Sequence, residues 1–388
     1  MLSDTYGHSP IQKMFDNADV YGVAYDEERA SRPLIKIGII GLGGVALSKH
    51  IPAIARLRAI WEPVKLAAVC NRNRRTGENA ADTNGCRWYG DYKEMLGREE
   101  LDGVIITGPD SLHYEHAMAC LERGIHVLVE KPLSRSLVES EGMCRYAQEK
   151  GLILMTVSNK RFSPPYFRAK KNIDNGTIAN PAMFVGKFNL GYDYVDILEG
   201  GTIHIFDIMR YLMGNVKTVS AVGTRQYDFN KTYYPFDHAI SSFEFGSGAI
   251  GSIYTSSAAL SLKPWERVEV YGEKCWLAVE DQFKLILNDS EEGPSKVFTP
   301  VIPNTLLFDE EFGGFMGLIE NFIQSIRGAE TPAVTGWDGL KALELVCATH
   351  LSIKNGGKIR LPLDFAPADK EVREWFAHAE IDQEKIES

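Results

Sequence analysis

The sequence lacks the features that would mark a membrane-spanning, secreted or metal-binding protein. No apolar run in its 388 residues approaches the roughly 20 that a membrane-spanning helix needs, and no signal-peptide pattern opens the chain. The six cysteines are scattered without ligand spacing, which favours reduced, mostly buried thiols. His113 and His116 lie one helical turn apart, but no third ligand follows with convincing spacing. We therefore expect a cytoplasmic protein with no membrane contact and no metal.

Positive charge is also scarce, since the formal net charge is −10. A nucleic-acid-binding protein would need clustered positive charge, so we expect no nucleic-acid partner. The apolar fraction of 44% and the charged fraction of 24% are those of an ordinary soluble globular protein. The chain is long for a single hydrophobic core, which favours two domains.

Residues 34–160 are predicted to form the first domain, because short apolar runs alternate there with helical stretches. The strand-like runs are 34–40, 64–70, 103–107, 126–129 and 152–157, and the helical stretches are 45–60, 111–123 and 137–150. This alternation predicts an α/β fold with a doubly wound parallel sheet, the Rossmann arrangement. Residues 1–33 are polar and mixed, and we interpret them as an N-terminal extension, either loosely ordered or wrapped around a partner subunit.

Residues 161–365 are predicted to form a second, α+β domain. Strand-like runs at 182–188, 216–222, 239–245, 249–254 and 268–272 follow one another through short turns. Such a succession predicts a mainly antiparallel sheet. Helices are expected at 202–213, 315–327 and 339–354, and residues 366–388 are expected to form a C-terminal helical tail.

A glycine-rich turn, Gly41-Leu42-Gly43-Gly44-Val45-Ala46, directly follows the first strand and opens a helix. Gly41 permits a tight turn, Gly43 lets the backbone approach a pyrophosphate, and the small Ala46 lets the helix pack close to the sheet. The helix N-terminus offers free N–H groups to phosphates. The turn therefore predicts a bound dinucleotide, and we assign Gly41, Gly43, Gly44, Val45 and Ala46 to its site.

The end of the second strand leaves open which dinucleotide binds. An acidic residue at this position would accept the ribose hydroxyls of NAD, but the chain has Asn71 followed by Arg72. Asparagine can hydrogen-bond a ribose hydroxyl, whereas arginine can pair with a 2′-phosphate. We assign both residues to the cofactor site and expect NAD or NADP.

Further motifs resemble those of the glucose–fructose oxidoreductase / inositol dehydrogenase (Gfo/Idh/MocA) family. They are Thr107–His113, Gly124–Pro132, Asn159–Phe162, the helical segment His204–Gly214, and the two later stretches Phe322–Gly328 and Gly336–Gly339. The most specific of them contains Glu130-Lys131-Pro132. The resemblance runs from about Lys36 to Leu363 and leaves the N-terminal extension uncovered.

The resemblance implies hydride exchange between a nicotinamide and a secondary alcohol, usually on a sugar or cyclitol. It also implies a Rossmann domain followed by an open antiparallel sheet that often forms an oligomer interface, so we expect a homo-oligomer. The Lys131–Pro132 peptide bond is expected to be cis. In addition to the glycine turn, the implied cofactor residues are Thr107, Pro109, His113, Glu130, Lys131 and Asn159. The expected substrate residues are Lys131, Arg161, Tyr192 and His204.

Lys131 and His204 are the expected catalytic residues. Alcohol oxidation needs a proton acceptor near the hydroxyl and a group that stabilises developing alkoxide charge. Lys131 follows a parallel strand at the carboxyl end, where ligands bind in open α/β sheets. His204 carries an imidazole, a group that in its unperturbed form titrates in the range suited to a general base.

The sequence departs from the family at one position. Family members commonly carry Asp four residues before this histidine, whereas here that position is Gly200. Neither Glu199 nor Asp207 has the α-helical spacing that would replace the carboxylate, so we expect a substituted proton relay.

Three functions are compatible with these residues. The first is a dehydrogenase that oxidises a ring hydroxyl of a sugar or glycoside, such as that at C3. Oxidation of this kind acidifies the neighbouring C–H bond, so a redox-assisted glycosidase is the second. A dinucleotide-sensing regulator without catalysis is the third. Tyr192 belongs to a group of aromatic residues in predicted loops, suited either to stacking on a sugar or to interface packing.

Overall fold

The computed structural model describes residues 27–189, 196–227, 236–258, 264–291, 293–300, 313–371 and 374. Its contacts divide the chain into two compact units. The first unit comprises Met1–Arg135, Glu139–Pro164 and Val301–Gly339, and the second comprises Ser136–Val138, Pro165–Pro300 and Leu340–Ser388.

The first unit contains a six-stranded, wholly parallel sheet with the strand order β3-β2-β1-β4-β5-β6. Its strands are β1 (Ile35–Ile40), β2 (Val64–Cys70), β3 (Arg87–Tyr89), β4 (Gly103–Ile106), β5 (His126–Val129) and β6 (Leu154–Thr156). The central strands are apolar on both faces because helices cover both, and Ile37, Ile39 and Ile105 are fully buried. The predicted Rossmann sheet is confirmed.

Six helices accompany this sheet or link its strands. They are α1 (Ile51–Ala59), α2 (Arg74–Asn84), α3 (Tyr92–Arg98), α4 (His113–Leu121), α5 (Leu137–Lys150) and α8 (Phe315–Ile326). A π-helical turn, Ala46–His50, joins the glycine turn to α1, and Pro52 lies at the start of α1, where its missing N–H has no consequence.

Helix α8 belongs to the first unit, although the sequence ranges place it in the second domain. Its apolar face, including Phe322 and Ile323, is buried in one core with Ile37 and Leu57. Sequence periodicity shows that this helix has an apolar face, but not which sheet that face covers.

The last residues of the predicted extension are anchored in the first unit. The helical turn Glu27–Ala30 presents a buried Arg29, whose Nε donates to Glu62 at 2.8 Å and whose Nη2 donates to Glu320 at 2.5 Å. Arg327 forms a second ion pair with Glu62. Removing one member of such a buried set costs about 3–5 kcal/mol, so residues 27–33 are a fixed part of this unit. Residues 1–26 lie outside the described part of the chain.

The second unit contains a nine-stranded sheet with the order β14-β13-β12-β11-β7-β10-β9-β8-β15. Its strands are β7 (Met183–Phe188), β8 (Val216–Thr224), β9 (His238–Phe245), β10 (Ile250–Ser256), β11 (Glu266–Tyr271), β12 (Trp276–Glu280), β13 (Lys284–Asn288), β14 (Lys296–Phe298) and β15 (Ile359–Arg360). Among the described strands of this second sheet only β7 and β10 pair in parallel, so the expected mainly antiparallel sheet is confirmed.

The described residues also form helices α6 (Pro164–Asp174), α7 (Ile203–Met213) and α9 (Gly336–Asn355). Alternate residues of β9, such as Phe243 and Phe245, are buried in a core with Phe206 and Val346 from the helices. Of the predicted C-terminal tail, residues 365–371 are helical and most of the remainder lies outside the described residues. No helix in the described ranges is both long and apolar enough to cross a membrane.

Candidate active site

The glycine turn is held against the next strand of the sheet by its backbone. The Gly41 N–H donates to the Cys70 carbonyl at 2.9 Å, and Thr107 Oγ1 donates to the Gly41 carbonyl at 2.6 Å. Gly41 has φ +97°, and a Cβ atom there would lie 2.4 Å from the Gly108 nitrogen. Both the conformation and this close approach therefore require glycine at position 41.

The outer surface of the turn is open. A Cβ atom on Gly44 would meet no atom within 4 Å, and one on Gly43 would meet only the Thr107 carbonyl oxygen, at 4.0 Å. Val45 is exposed at the first helical turn, whereas Ala46 is fully buried against the sheet. This arrangement fits a dinucleotide, because open backbone beside a helix N-terminus is what a pyrophosphate requires.

A cavity of about 700 Å³ lies beside the turn at the carboxyl ends of β1, β2 and β4. Of the predicted cofactor residues, the structure brings six to its walls: Gly41, Gly43, Asn71, Arg72, Thr107 and Pro109. Asn71 Nδ2 donates to the Asn73 carbonyl at 3.2 Å, which orients the amide, and Arg72 is exposed. The position matches the crevice where ligands bind in open α/β sheets.

The same cavity is also lined by residues that the sequence did not predict for the site, including Asp91, Lys93 and His116. Asp91 caps α3 by accepting the Lys93 N–H at 2.7 Å, and Glu94 follows three residues after it. An Asp-x-x-Glu pattern marks a helix start, so this signal was available. His116 lies on α4, and burial lowers the pKa of its imidazole. No sequence pattern distinguishes His116 from an ordinary core histidine.

Glu130 follows β5 and pairs with a buried histidine from the turn that precedes α1. Its Oε1 lies 2.9 Å from His50 Nε2, and its Oε2 accepts the Lys131 N–H at 3.2 Å. Burial raises the pKa of Glu130, but the hydrogen bond and charge of His50, with the charges of Lys131 and His113, more than offset it. The net effect is a pKa below its usual range, so Glu130 is a carboxylate at neutral pH.

Replacement of Glu130 by glutamine is expected to lower the free energy of unfolding by about 1–3 kcal/mol near neutral pH. Since folding lowers the pKa of Glu130, its contribution is present above the ordinary value of 4.5 and is lost as the pH falls through the folded value. Denaturant unfolding from neutral pH down to about pH 3 should show a smaller acid-side loss for the variant than for the wild type. Glu122→Gln, at an exposed carboxylate, is the control, and equal losses for Glu130→Gln and the wild type would contradict the prediction.

His113 lies next to Glu130 and connects two loops of the site. Its Nδ1 is 2.8 Å from the Pro132 carbonyl oxygen, and its Nε2 is 3.1 Å from that of Gly108. Carbonyl oxygens only accept hydrogen bonds, so both contacts form fully when both ring nitrogens carry a proton. His113 therefore joins the segment after Lys131 to the loop that lines the cavity. The Lys131–Pro132 peptide bond is cis, as expected.

Asn159 and Arg161 bind the segments that flank α8. Asn159 Nδ2 donates to the Gly313 carbonyl at 2.5 Å, and within the described residues its buried Oδ1 has no hydrogen-bond partner. A bound molecule can therefore use this oxygen. The Arg161 guanidinium donates to Asp338 Oδ1 at 3.0 Å and to the Ala333 carbonyl at 3.3 Å. Its predicted contact with substrate stays a prediction.

In the second unit, His204 is half-buried in the first turn of α7. A π-helical turn, Leu198–Thr202, precedes this helix and contains Glu199 and Gly200. The predicted substrate residue Tyr192 lies outside the described residues.

Two sequence profiles of one family together match most of the chain. The profile for the NAD-binding Rossmann fold of the Gfo/Idh/MocA oxidoreductases matches residues 35–158, and the one for their C-terminal alpha/beta domain matches residues 197–361. The chain belongs to the Gfo/Idh/MocA family. The resemblance inferred from the motifs is confirmed, and the protein is an NAD(P)-dependent oxidoreductase.

Several members of the Gfo/Idh/MocA family resemble this chain over most of its length. A myo-inositol 2-dehydrogenase of Thermotoga maritima is 28% identical over 84% of this chain and 98% of its own. An NAD-dependent scyllo-inositol 2-dehydrogenase of Bacillus subtilis is 29% identical over 84% of this chain and 96% of its own. A levoglucosan dehydrogenase, solved with NADH and levoglucosan, has the same fold, with a TM-score of 0.76 at 20% identity over 85% of this chain and all of its own.

Proposed function

We propose that this protein oxidises a secondary hydroxyl of a sugar, glycoside or cyclitol, with C3 of a glycoside as a candidate position. The observation that carries the proposal is the pair Glu130–Lys131 at the carboxyl end of β5, in the same unit as the dinucleotide cavity. Two family members of similar length act on inositols by name, which supports a polyhydroxylated ring as substrate.

In the proposed reaction Lys131 stabilises the developing charge and His204 takes the proton. Oxidation removes a proton from the hydroxyl and a hydride from its carbon, and a bound nicotinamide supplies the acceptor for the hydride. The ammonium group of Lys131 hydrogen-bonds the reacting oxygen and stabilises its negative charge. The His204 imidazole accepts the proton. Glu130, as a carboxylate held by His50, maintains the positive charge of Lys131.

The walls of the cavity supply the proposed cofactor contacts. The backbone at Gly43 and Gly44 receives the pyrophosphate, and Asn71 and Arg72 meet the ribose that carries the adenine. Thr107 and Pro109 also line the cavity.

A substrate screen tests the proposal. Sugars, glycosides and inositols are incubated with the purified protein and either NAD or NADP, and the absorbance of the reduced nicotinamide is followed. We expect reduction with at least one ring alcohol, loss of that signal in Lys131→Met, and no release of aglycone from glycosides. Failure of every alcohol to reduce either cofactor would overturn the proposal. Aglycone release would instead identify a redox-assisted glycosidase.

We also propose that the chain forms a homo-oligomer through the face of the second sheet that carries exposed apolar side chains on β8, β9 and β10. Val222, Ile240 and Tyr254 lie side by side in register on β8, β9 and β10 and are 68%, 56% and 43% exposed. A contiguous apolar patch of this kind marks an interaction surface. In the Gfo/Idh/MocA family the open sheet of the second domain often forms the oligomer interface. We therefore expect a second copy of the chain to cover this face.

Ile240→Lys is expected to shift the protein toward monomer, because a desolvated ammonium at an interface costs several kcal/mol. Light scattering coupled to size exclusion measures the mass of the assembly. Leu34→Lys, at an equally exposed apolar side chain of the first unit, is the matched control. An unchanged mass for Ile240→Lys would contradict the proposed interface.

The six cysteines are all free, which supports a cytoplasmic location.

A further inference from the structure

One wall of the dinucleotide cavity carries a histidine to which the proposed function gives no role. His116 lies on α4, is only 8% exposed and lines the cavity together with Asn71 and Pro109. Its Nδ1 atom is fully enclosed and has no hydrogen-bond partner among the described residues. Buried polar groups are normally paired, so a buried imidazole that the surrounding protein does not satisfy calls for an explanation from what the cavity holds.

The cavity lies in the half of the sheet that receives the adenosine part of a dinucleotide. Besides the ends of β1, β2 and β4, the residues that follow β3, from Gly90 to Lys93, line it. In the strand order, β2 and β3 lie on one side of β1, and β5, which precedes Glu130, lies on the other. In Rossmann folds the end of the second strand meets the adenosine ribose. His116 therefore faces the adenosine half of the bound molecule.

Burial decides where the proton of the His116 ring lies. It lowers the pKa of His116 by desolvating the charged form, so at neutral pH the ring carries one N–H group and one bare nitrogen. A proton on the enclosed Nδ1 would be a buried donor without an acceptor, which proteins avoid more strictly than an unpaired acceptor. The proton therefore lies on Nε2. Since Nδ1 is enclosed, Nε2 is the nitrogen that can face the cavity, and it does so as a donor.

Neighbouring groups fix the orientation of this ring. Tyr92, the first residue of α3, meets it edge to face with the ring centroids 4.5 Å apart. Tyr92 Oη donates to Glu115 at 2.5 Å, which ties the tyrosine to the helix that carries His116. On the loop after β4, a Cβ atom on Gly108 would lie 3.8 Å from the His116 ring. Edge-to-face contacts are directional, so the Nε2–H group is presented to the cavity in one direction.

We propose that His116 recognises the adenine base of the cofactor, with its Nε2–H group donating to one of the acceptor ring nitrogens N1, N3 or N7. This assignment rests on the cofactor contacts of the proposed function and extends them. There the glycine turn receives the pyrophosphate, and Asn71 and Arg72 meet the ribose, whereas no side chain reads the base. A fixed donor on a largely enclosed wall supplies that contact.

Calorimetric titration of the wild type with ADP tests the proposal without any turnover. The analogues 1-deaza-ADP, 3-deaza-ADP and 7-deaza-ADP each have one ring nitrogen of adenine replaced by C–H. We expect one of them to bind about tenfold more weakly than ADP, because it leaves the Nε2–H donor without an acceptor. Equal affinities for ADP and all the analogues would overturn the proposal, and so would a failure of ADP to bind.

Two substitutions locate the origin of this discrimination. The amide nitrogen of His116→Gln reaches close to the position of Nε2, whereas that of the shorter His116→Asn lies near Nδ1. We expect His116→Asn to bind ADP about tenfold more weakly and to lose the preference for ADP over the discriminated analogue. His116→Gln should keep the affinity for ADP within about threefold of the wild type. Full discrimination in His116→Asn, or an equal loss of affinity in the two variants, would overturn the proposal.

His126→Asn is the matched control. His126 is another histidine of the first unit whose pKa is lowered by burial, and it begins β5 at the opposite end of the parallel sheet. Its Nδ1 accepts the Ile153 N–H at 2.9 Å, and asparagine keeps an acceptor there. We expect unchanged affinity and discrimination, and a loss equal to that of His116→Asn would overturn the specific role of His116.

The binding measurements separate this proposal from the proposed function. A wild type that binds ADP without discrimination overturns the role of His116 and leaves the oxidation of a ring alcohol standing. A wild type that discriminates among the analogues but oxidises no alcohol in the substrate screen overturns the proposed function and leaves the role of His116 standing.

Discussion

Replacing Lys131 by methionine is expected to lower kcat by about 10²–10³-fold, with a much smaller change in the dissociation constant of the nicotinamide dinucleotide. Methionine approximates the length and volume of the lysine stem but has no charge and no donor. The variant therefore tests the ammonium group instead of the packing. The effect is large because charge stabilisation at the reacting oxygen is needed in the transition state and hardly at all in the ground state.

The position of Lys131 supports this expectation. It directly follows β5 and Glu130, and its backbone N–H donates to the Glu130 carboxylate. Glu130 is ionised because His50, Lys131 and His113 lower its pKa against the effect of burial. The lysine thus belongs to a set of fixed charges at the carboxyl end of the sheet. Removing the Lys131 ammonium group also raises the pKa of Glu130. We therefore expect the pH profile of kcat to shift in addition to the fall in kcat.

Two further variants sharpen the measurement on Lys131. Lys131→Arg keeps the charge but presents a planar, wider group, and we expect it to recover only part of the activity. Lys36→Met removes a lysine that pairs with the exposed Glu100 at the opposite end of the parallel sheet. It should retain full turnover. A Lys131→Met enzyme within about threefold of wild-type kcat would contradict the assigned role.

The second large effect is expected from Gly41→Ala, which should lower the free energy of unfolding by about 3 kcal/mol or more and abolish measurable cofactor binding. The φ angle of +97° is unfavourable for any residue with a Cβ atom. That atom would also lie 2.4 Å from the Gly108 nitrogen, and since the contact is with backbone, no side-chain rotation relieves it. The turn must therefore shift away from the loop that follows β4.

Gly44→Ala is the matched control for this glycine. It lies in the same turn, its φ angle is outside the left-handed region, and an added Cβ atom meets nothing within 4 Å. We expect its unfolding free energy to stay within about 1 kcal/mol of the wild type. Denaturant unfolding of the apo proteins measures both variants, and calorimetric titration with NAD and NADP measures binding. Equal destabilisation by the two substitutions would contradict the argument from backbone contact.

The parts of the fold that the sequence predicts correctly are those with strong local signals. The buried strands β1, β2 and β4 are continuous apolar runs, and the glycine turn follows β1 without a gap. The strands β3 and β12–β14 were missed because they are only three to five residues long and lack a clear turn pattern. Short strands are defined by the neighbours with which they pair, and that information is not local.

Long-range partners are the part of the fold that the sequence leaves open. Arg161 donates to Asp338, 177 residues later in the chain, while its contact with substrate stays a prediction. Helix α8 has an evident apolar face, but only the folded chain shows that this face covers the Rossmann sheet. Likewise, Arg29 gives no sign in the sequence that it will be buried between Glu62 and Glu320.

The sequence by itself determined the cofactor class and the family, because each depends on short motifs whose chemistry is local, and it supplies Lys131 and His204 as predicted catalytic residues. Only the tertiary structure showed that Gly200, the position of the missing carboxylate, lies in a π-helical turn and not in an α-helical one. The Phe188 ring packs against Gly201, and Asp196 Oδ1 accepts the Glu199 N–H at 3.1 Å, so both contacts favour this π turn. Helical phase is set by backbone hydrogen bonding, and here long-range packing selects it.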